Sequence, residues 1–234
     1  MILTYLKKIN LSIILFFPLL TSCQNIQISN DQNTIEGKND LFYSINIKNL
    51  LFSLKEADKK LTPIFRIDPD GMAYYSYPKL PGEDKLTLDE IKKRSQLGSN
   101  FYIKDRKKIE KILNKVNSLK INNKITTLNK GQGRWVPSNK EILIDRKVIS
   151  YGSPYFLDVL SHEVIHASQS CFNGSLTSAP KRIGLPLNYT KDINLTLSHN
   201  YSELTEEIIN LEREAFTYSN TEGTALKLLN NFCE

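Results

Sequence analysis

Residues 153–170 read SPYFLDVLSHEVIHASQS, and this stretch decides the reading of the chain. The preceding Gly152 with Ser153 and Pro154 marks a helix start, with Ser153 as N-cap and Pro154 at the first helical position. Asn173-Gly174 marks the stop. Within these limits Leu157, Leu160, Val164, Ala167 and Cys171 recur at spacings of three and four, and Val159 and Ile165 flank the opposite, histidine-bearing face. A helix apolar around most of its girth is a buried helix. His162 and His166 occupy its remaining face, about 40° apart at 3.6 residues per turn. Buried imidazoles are either ligands or costly unsatisfied groups. Two imidazoles four residues apart can reach one tetrahedral Zn²⁺. Glu163, beside the first histidine, can then take the proton of a water attacking a carbonyl.

Downstream, a Pro-, Ser- and Thr-rich loop is expected over 175–200, then a last long helix from near Asn200 or Ser202, with Glu203 and Glu206 in its first turn. Leu204, Ile208, Leu211, Ala215 and Tyr218 form its apolar seam. Glu212 and Glu214 flank the centre of that seam on opposite sides, so periodicity leaves both open as a third metal ligand. His199 is a further alternative ligand, and His199 and Tyr201 are candidates to steady an oxyanion. Trp135, Tyr151 and Tyr155 read as core or cleft-wall residues.

The set His162-Glu163-Val164-Ile165-His166 followed by Glu212-Arg213-Glu214-Ala215 resembles the gluzincin type of zinc metallopeptidase. The resemblance implies a zincin-like fold, Zn²⁺ as cofactor and a peptide or protein substrate. It implies Glu163 as the catalytic group and His162, His166 and Glu212 as the ligands. It also implies an edge strand along the cleft, and Glu141 to Asp145 is the candidate. In that family the pattern often continues with an Asp or Asn, where this chain has Phe216. A reading from another class, a catalytically inactive zincin-like protein of envelope binding or assembly, stands beside the enzyme reading.

At the other end, residues 1–22 combine a positive Lys7-Lys8 pair with an apolar run from Leu11 to Leu20, too short to span a bilayer. Leu20-Thr21-Ser22-Cys23 resembles a bacterial lipobox. That resemblance implies cleavage before Cys23, a lipid on that cysteine and a place at the cell envelope. Residues 23–40 are polar and aperiodic, a flexible tether. With Cys23 so used, Cys171 and Cys233 remain, and an oxidising compartment favours one disulfide between them.

The formal charge of the 234-residue chain is +6, and about +4 once Lys7 and Lys8 are removed. That is too little to argue for nucleic acid. A monomer is expected. Residues 41–100 read as an N-terminal extension of open role, with a helix over Ile47 to Ala57, a Pro- and Tyr-rich irregular or short-stranded segment over 62–81 and a short helix over Thr87 to Lys93. Residues 101–234 read as the metallopeptidase domain. They contain a helix over Lys104 to Leu119, a tight turn at Gly131-Gln-Gly133 and strand material over Arg134 to Ile149. The fold class expected is α+β: a small sheet, the His162–His166 helix and a mostly helical C-terminal half.

Overall fold

The computed structural model describes residues 43–80, 83, 85–200, 204–219 and 221–234, without the side chains of residues 43, 44, 199 and 200. The expected signal segment 1–22, the tether 23–40 and Cys23 lie outside these residues. The fold is α+β and mostly helical. Among the described residues, no helix is long and apolar enough to cross a membrane.

The strands β1 (Tyr43–Ser44), β4 (Asn122–Thr126), β6 (Glu141–Asp145) and β5 (Gly133–Val136) lie side by side in that order. The β4–β6 pair is parallel, and the pairs β1–β4 and β5–β6 are antiparallel. A separate hairpin joins β2 (Ile64–Ile67) to β3 (Ala73–Ser76) around the Asp68-Pro69-Asp70-Gly71 turn. The helices are α1 (Ile47–Lys60), α2 (Leu88–Leu97), α3 (Ile103–Ser118), α4 (Arg146–Ser150), α5 (Gly152–Phe172), α6 (Lys191–Asn200), α7 (Glu206–Ser219) and α8 (Thr224–Phe232).

α5 is the axis of the molecule. Phe156, Leu160, Val164, Ile165 and Ala167 are buried, in one core with Leu50 and Leu54 of α1, Ile109 and Leu113 of α3, Ile142 and Ile144 of β6, and Leu228 and Leu229 of α8. The core therefore crosses residue 100, and the boundary drawn there between an extension and a domain is not a packing boundary. A buried polar joint fixes the arrangement. Asp58 of α1 accepts hydrogen bonds from the Ser153 N–H and the Ser153 hydroxyl, both at 2.7 Å, and pairs with the Arg106 guanidinium of α3. Ser153 thus does not cap its own helix as expected. The first turn of α5 is held by the carboxylate of another helix, which favours that site because the helix N-terminus carries unsatisfied N–H groups.

Three other expectations change. Residues 146–150 are helical rather than strand, because Asp145 ends β6 and its side chain caps α4 by accepting from the Lys147 N–H at 2.8 Å. The segment 175–200 contains α6, whose Asp192 sits in the first turn and whose Leu197 is buried. The last helix is two: α7 ends at Ser219, and Gly223, with φ +70°, turns the chain into α8. Thr87, at the start of the short helix expected there, begins α2 with a reciprocal pair of hydrogen bonds to Glu90. A Cys171–Cys233 disulfide ties the end of α5 to the end of α8.

Candidate metal centre

His162 and His166 project from α5 toward α7, whose packing on α5 brings Glu212 against both. His162 Nε2 stands 3.0 Å from His166 Nε2 and 3.2 Å from Glu212 Oε2. The third edge, His166 Nε2 to Glu212 Oε2, is 3.4 Å. All three side chains are buried. A four-coordinate ion with bonds of 2.0–2.1 Å needs donor–donor edges of about 3.3 Å, so the triangle matches one face of such a tetrahedron. Nitrogen and carboxylate donors suit a borderline divalent ion. This His-His-Glu group can hold a metal ion.

The charges are mutually adjusted. Burial pushes the His166 imidazole down, but the adjoining Glu212 carboxylate outweighs it and holds the group up, at about 9. Burial pushes Glu212 up, yet the two imidazoles hold its carboxyl far below the usual range. Without the histidines a carboxylate so deep would be neutral.

Glu214, the rival ligand, is turned to a different task. Its Oε1 accepts from the N–H groups of Gly184 at 3.0 Å and Leu185 at 2.9 Å. Its Oε2 accepts from Ile183 N–H and Gln169 Nε2, both at 2.9 Å. It is a clamp on the 183–185 backbone, with no reach toward the imidazole edges. The Gln169 amide oxygen then remains to accept from His166 Nδ1 at 2.7 Å, which orients the ring and aims Nε2 at Glu212. His162 has no such support: its Nδ1 is shielded and finds no hydrogen-bond partner among the described residues. The Phe216 ring lies against it, centroids 4.4 Å apart.

Glu163 faces the sheet. Its carboxylate accepts a hydrogen bond from the Trp135 N–H, and Oε2 has no partner among the described residues. Burial pushes its carboxyl up, and Glu212 adds to that while the two histidines oppose it. The strand in question is β5. Glu141–Asp145 is not the edge it was expected to be, because β6 runs between β4 and β5, and β5 is the outer strand. Gly133 is part of this strand rather than a tight turn, and a Cβ there would stand 2.5 Å from Glu163 Oε1. The Gln132 carbonyl accepts from the Asp145 N–H at 2.8 Å. The alternation of an antiparallel ladder therefore turns the Gly133 and Trp135 backbone groups outward, beside Glu163.

His199 lies on α6 with its side chain outside the described residues, and Tyr201 lies outside them altogether. Trp135 is buried, its indole N–H donating to Ser170 Oγ at 2.8 Å. Tyr155 is buried and Tyr151 partly so, their rings in edge contact. Sequence reasoning missed Gly133, Gln169 and the 183–185 backbone. Only Gln169 left a trace, three residues after His166 and so on its face of the helix. In comparisons with protein-family models, curated proteins and solved structures, nothing matches this chain.

Proposed function

We propose that this protein is a zinc-dependent hydrolase of peptide bonds at the bacterial cell envelope, of the gluzincin type, tethered through a lipid on Cys23. The observation that carries the reading is the His162–His166–Glu212 triangle with a second buried carboxylate, Glu163, against the outer strand. The resemblance of the motif to gluzincins favours zinc over other divalent ions.

A zinc ion held by the triad would supply Lewis acidity and make a water nucleophilic near neutral pH. The protein's own groups do the remainder. Burial keeps Glu163 basic enough to take a proton, and its Oε2 is the atom left to receive it from water. The same oxygen is placed to hand that proton to the departing amine. The outward backbone groups of Gly133 and the outward Trp135 carbonyl, the Trp135 N–H being held by Glu163, give an extended substrate a strand to pair with, next to the reacting carbonyl. Glu212 has no proton to give: held ionised between two imidazoles, it is a ligand and not an acid.

The test is metal content with hydrolysis. One zinc per chain is expected in the wild type and in Glu163→Gln, with hydrolysis of a quenched fluorescent peptide pool lost in the latter by a thousandfold or more, roughly 4 kcal/mol of barrier. Glu212→Ala should lose the metal, and Glu214→Ala should lose it less and unfold more easily. A wild type without zinc after reconstitution would end the metal reading. Hydrolysis unchanged in Glu163→Gln would end the mechanism and leave the binding or assembly reading. That second reading draws on the β2–β3 hairpin, which leaves Phe65, Ile67 and Met72 exposed.

A further inference from the structure

We infer that the metal site is built to exchange its ion, because Phe216 fills the position from which an acceptor would steady His162. The inference rests on reading His162, His166 and Glu212 as ligands. Phe216 follows Glu212 by one turn on α7 and therefore shares its face. Its ring meets the His162 imidazole with centroids 4.4 Å apart and planes tilted by 49°. The imidazole Nδ1 is closed off from solvent with no hydrogen-bond partner among the described residues.

A ligating histidine ordinarily donates its second N–H to a carboxylate, a carbonyl or water. That bond fixes the ring and raises the basicity of the ligating nitrogen, and its loss weakens metal binding by about tenfold to a hundredfold. Among the described residues, neither histidine has a carboxylate behind it. His166 has the neutral amide oxygen of Gln169, and the carboxylate beside that amide, Glu214, is already committed to backbone N–H groups. Beside His162 stands the Phe216 ring, which carries no lone pair to accept an N–H. The triangle has the right size for the ion but a soft grip on it. Occupancy then follows the supply of metal around the protein, so that metal availability regulates the site.

The experiment is a zinc titration of the purified full-length protein against a chromophoric chelator, in wild type and in Phe216→Asp, Phe216→Asn and Phe216→Leu. Both polar variants should tighten binding by about tenfold to a hundredfold, and Phe216→Leu should stay within about threefold of wild type. Folding is checked by circular dichroism and melting. If the wild type takes up no zinc, the ligand assignment itself fails. If the wild type binds zinc and the folded polar variants bind no tighter, or the Leu variant tightens equally, the inference is overturned. Should the polar variants not fold, the wild type decides alone: zinc passing to excess EDTA within minutes supports the exchangeable site, and retention for hours overturns it.

Discussion

Replacing Gly133 by alanine tests the placement of Glu163 with a single methyl group. The added Cβ would stand 2.5 Å from Glu163 Oε1, 2.7 Å from Cγ and 2.9 Å from Cδ. Non-bonded heavy atoms are at ease at about 3.5 Å or more, so the carboxylate must retreat by about 1 Å. Gly133 does not occupy the left-handed region, so alanine meets no backbone strain there. The clash is the whole perturbation. A misplacement of 1 Å in a reacting group costs about a hundredfold in rate, or roughly 2.7 kcal/mol of barrier. Stability should fall by about 1–3 kcal/mol from overpacking, while the metal triad, on other side chains, is left in place. The assay is hydrolysis of the same fluorescent peptide pool, with zinc content and melting measured on one preparation. The expected result is full zinc, a folded protein and a hundredfold loss in kcat with little change in KM. Activity within threefold of wild type would refute the reasoning that Glu163 acts from its position against β5.

Three further outcomes concern stability. Asp58→Ala leaves the buried Arg106 without its carboxylate and two Ser153 donors without an acceptor, and should cost about 3–5 kcal/mol in urea unfolding; Asp58→Asn, which still accepts, should cost less, and equal losses would show that charge alone decides. Cys233→Ser opens a disulfide spanning 62 residues and should lower stability by about 4 kcal/mol in the chain-entropy model, seen as a matching drop in Tm on reduction of the wild type. A Tm insensitive to reductant would contradict it. Burial holds Tyr102 and Tyr155 neutral to about 12, because the phenolate is disfavoured in the core. Above pH 10 the unfolded chain releases these protons before the native one does, so stability is intact below pH 10 and declines between 10 and 12, by up to roughly 2.7 kcal/mol per pH unit. Urea midpoints that stay level from pH 10 to 11.5 would exclude this.

The chain announced its two-histidine helix in plain terms. Spacing alone set His162 and His166 on one side of α5, since a periodicity of 3.6 residues is a local property and needs no partner to read. The helix at 103–118 is local in the same sense. The contrast begins where a side chain must choose among distant partners. Glu212 and Glu214 are two residues apart and equally buried, and nothing in their neighbourhood along the chain separates them. The packing of α7 on α5 turns one toward the imidazoles and the other toward the 183–185 backbone. Strand order is likewise a long-range matter. Glu141–Asp145 looks like any apolar strand, and only the arrival of β4 on its other side removes it from the edge. Gly133 shows this most directly. In sequence it is half of a turn-like glycine pair, and its need to be glycine comes from a carboxylate thirty residues on, brought within 2.5 Å of its missing Cβ by the fold. Periodicity carries the faces of helices because it is written in consecutive residues, whereas close approach between elements is written only in the three-dimensional path of the backbone.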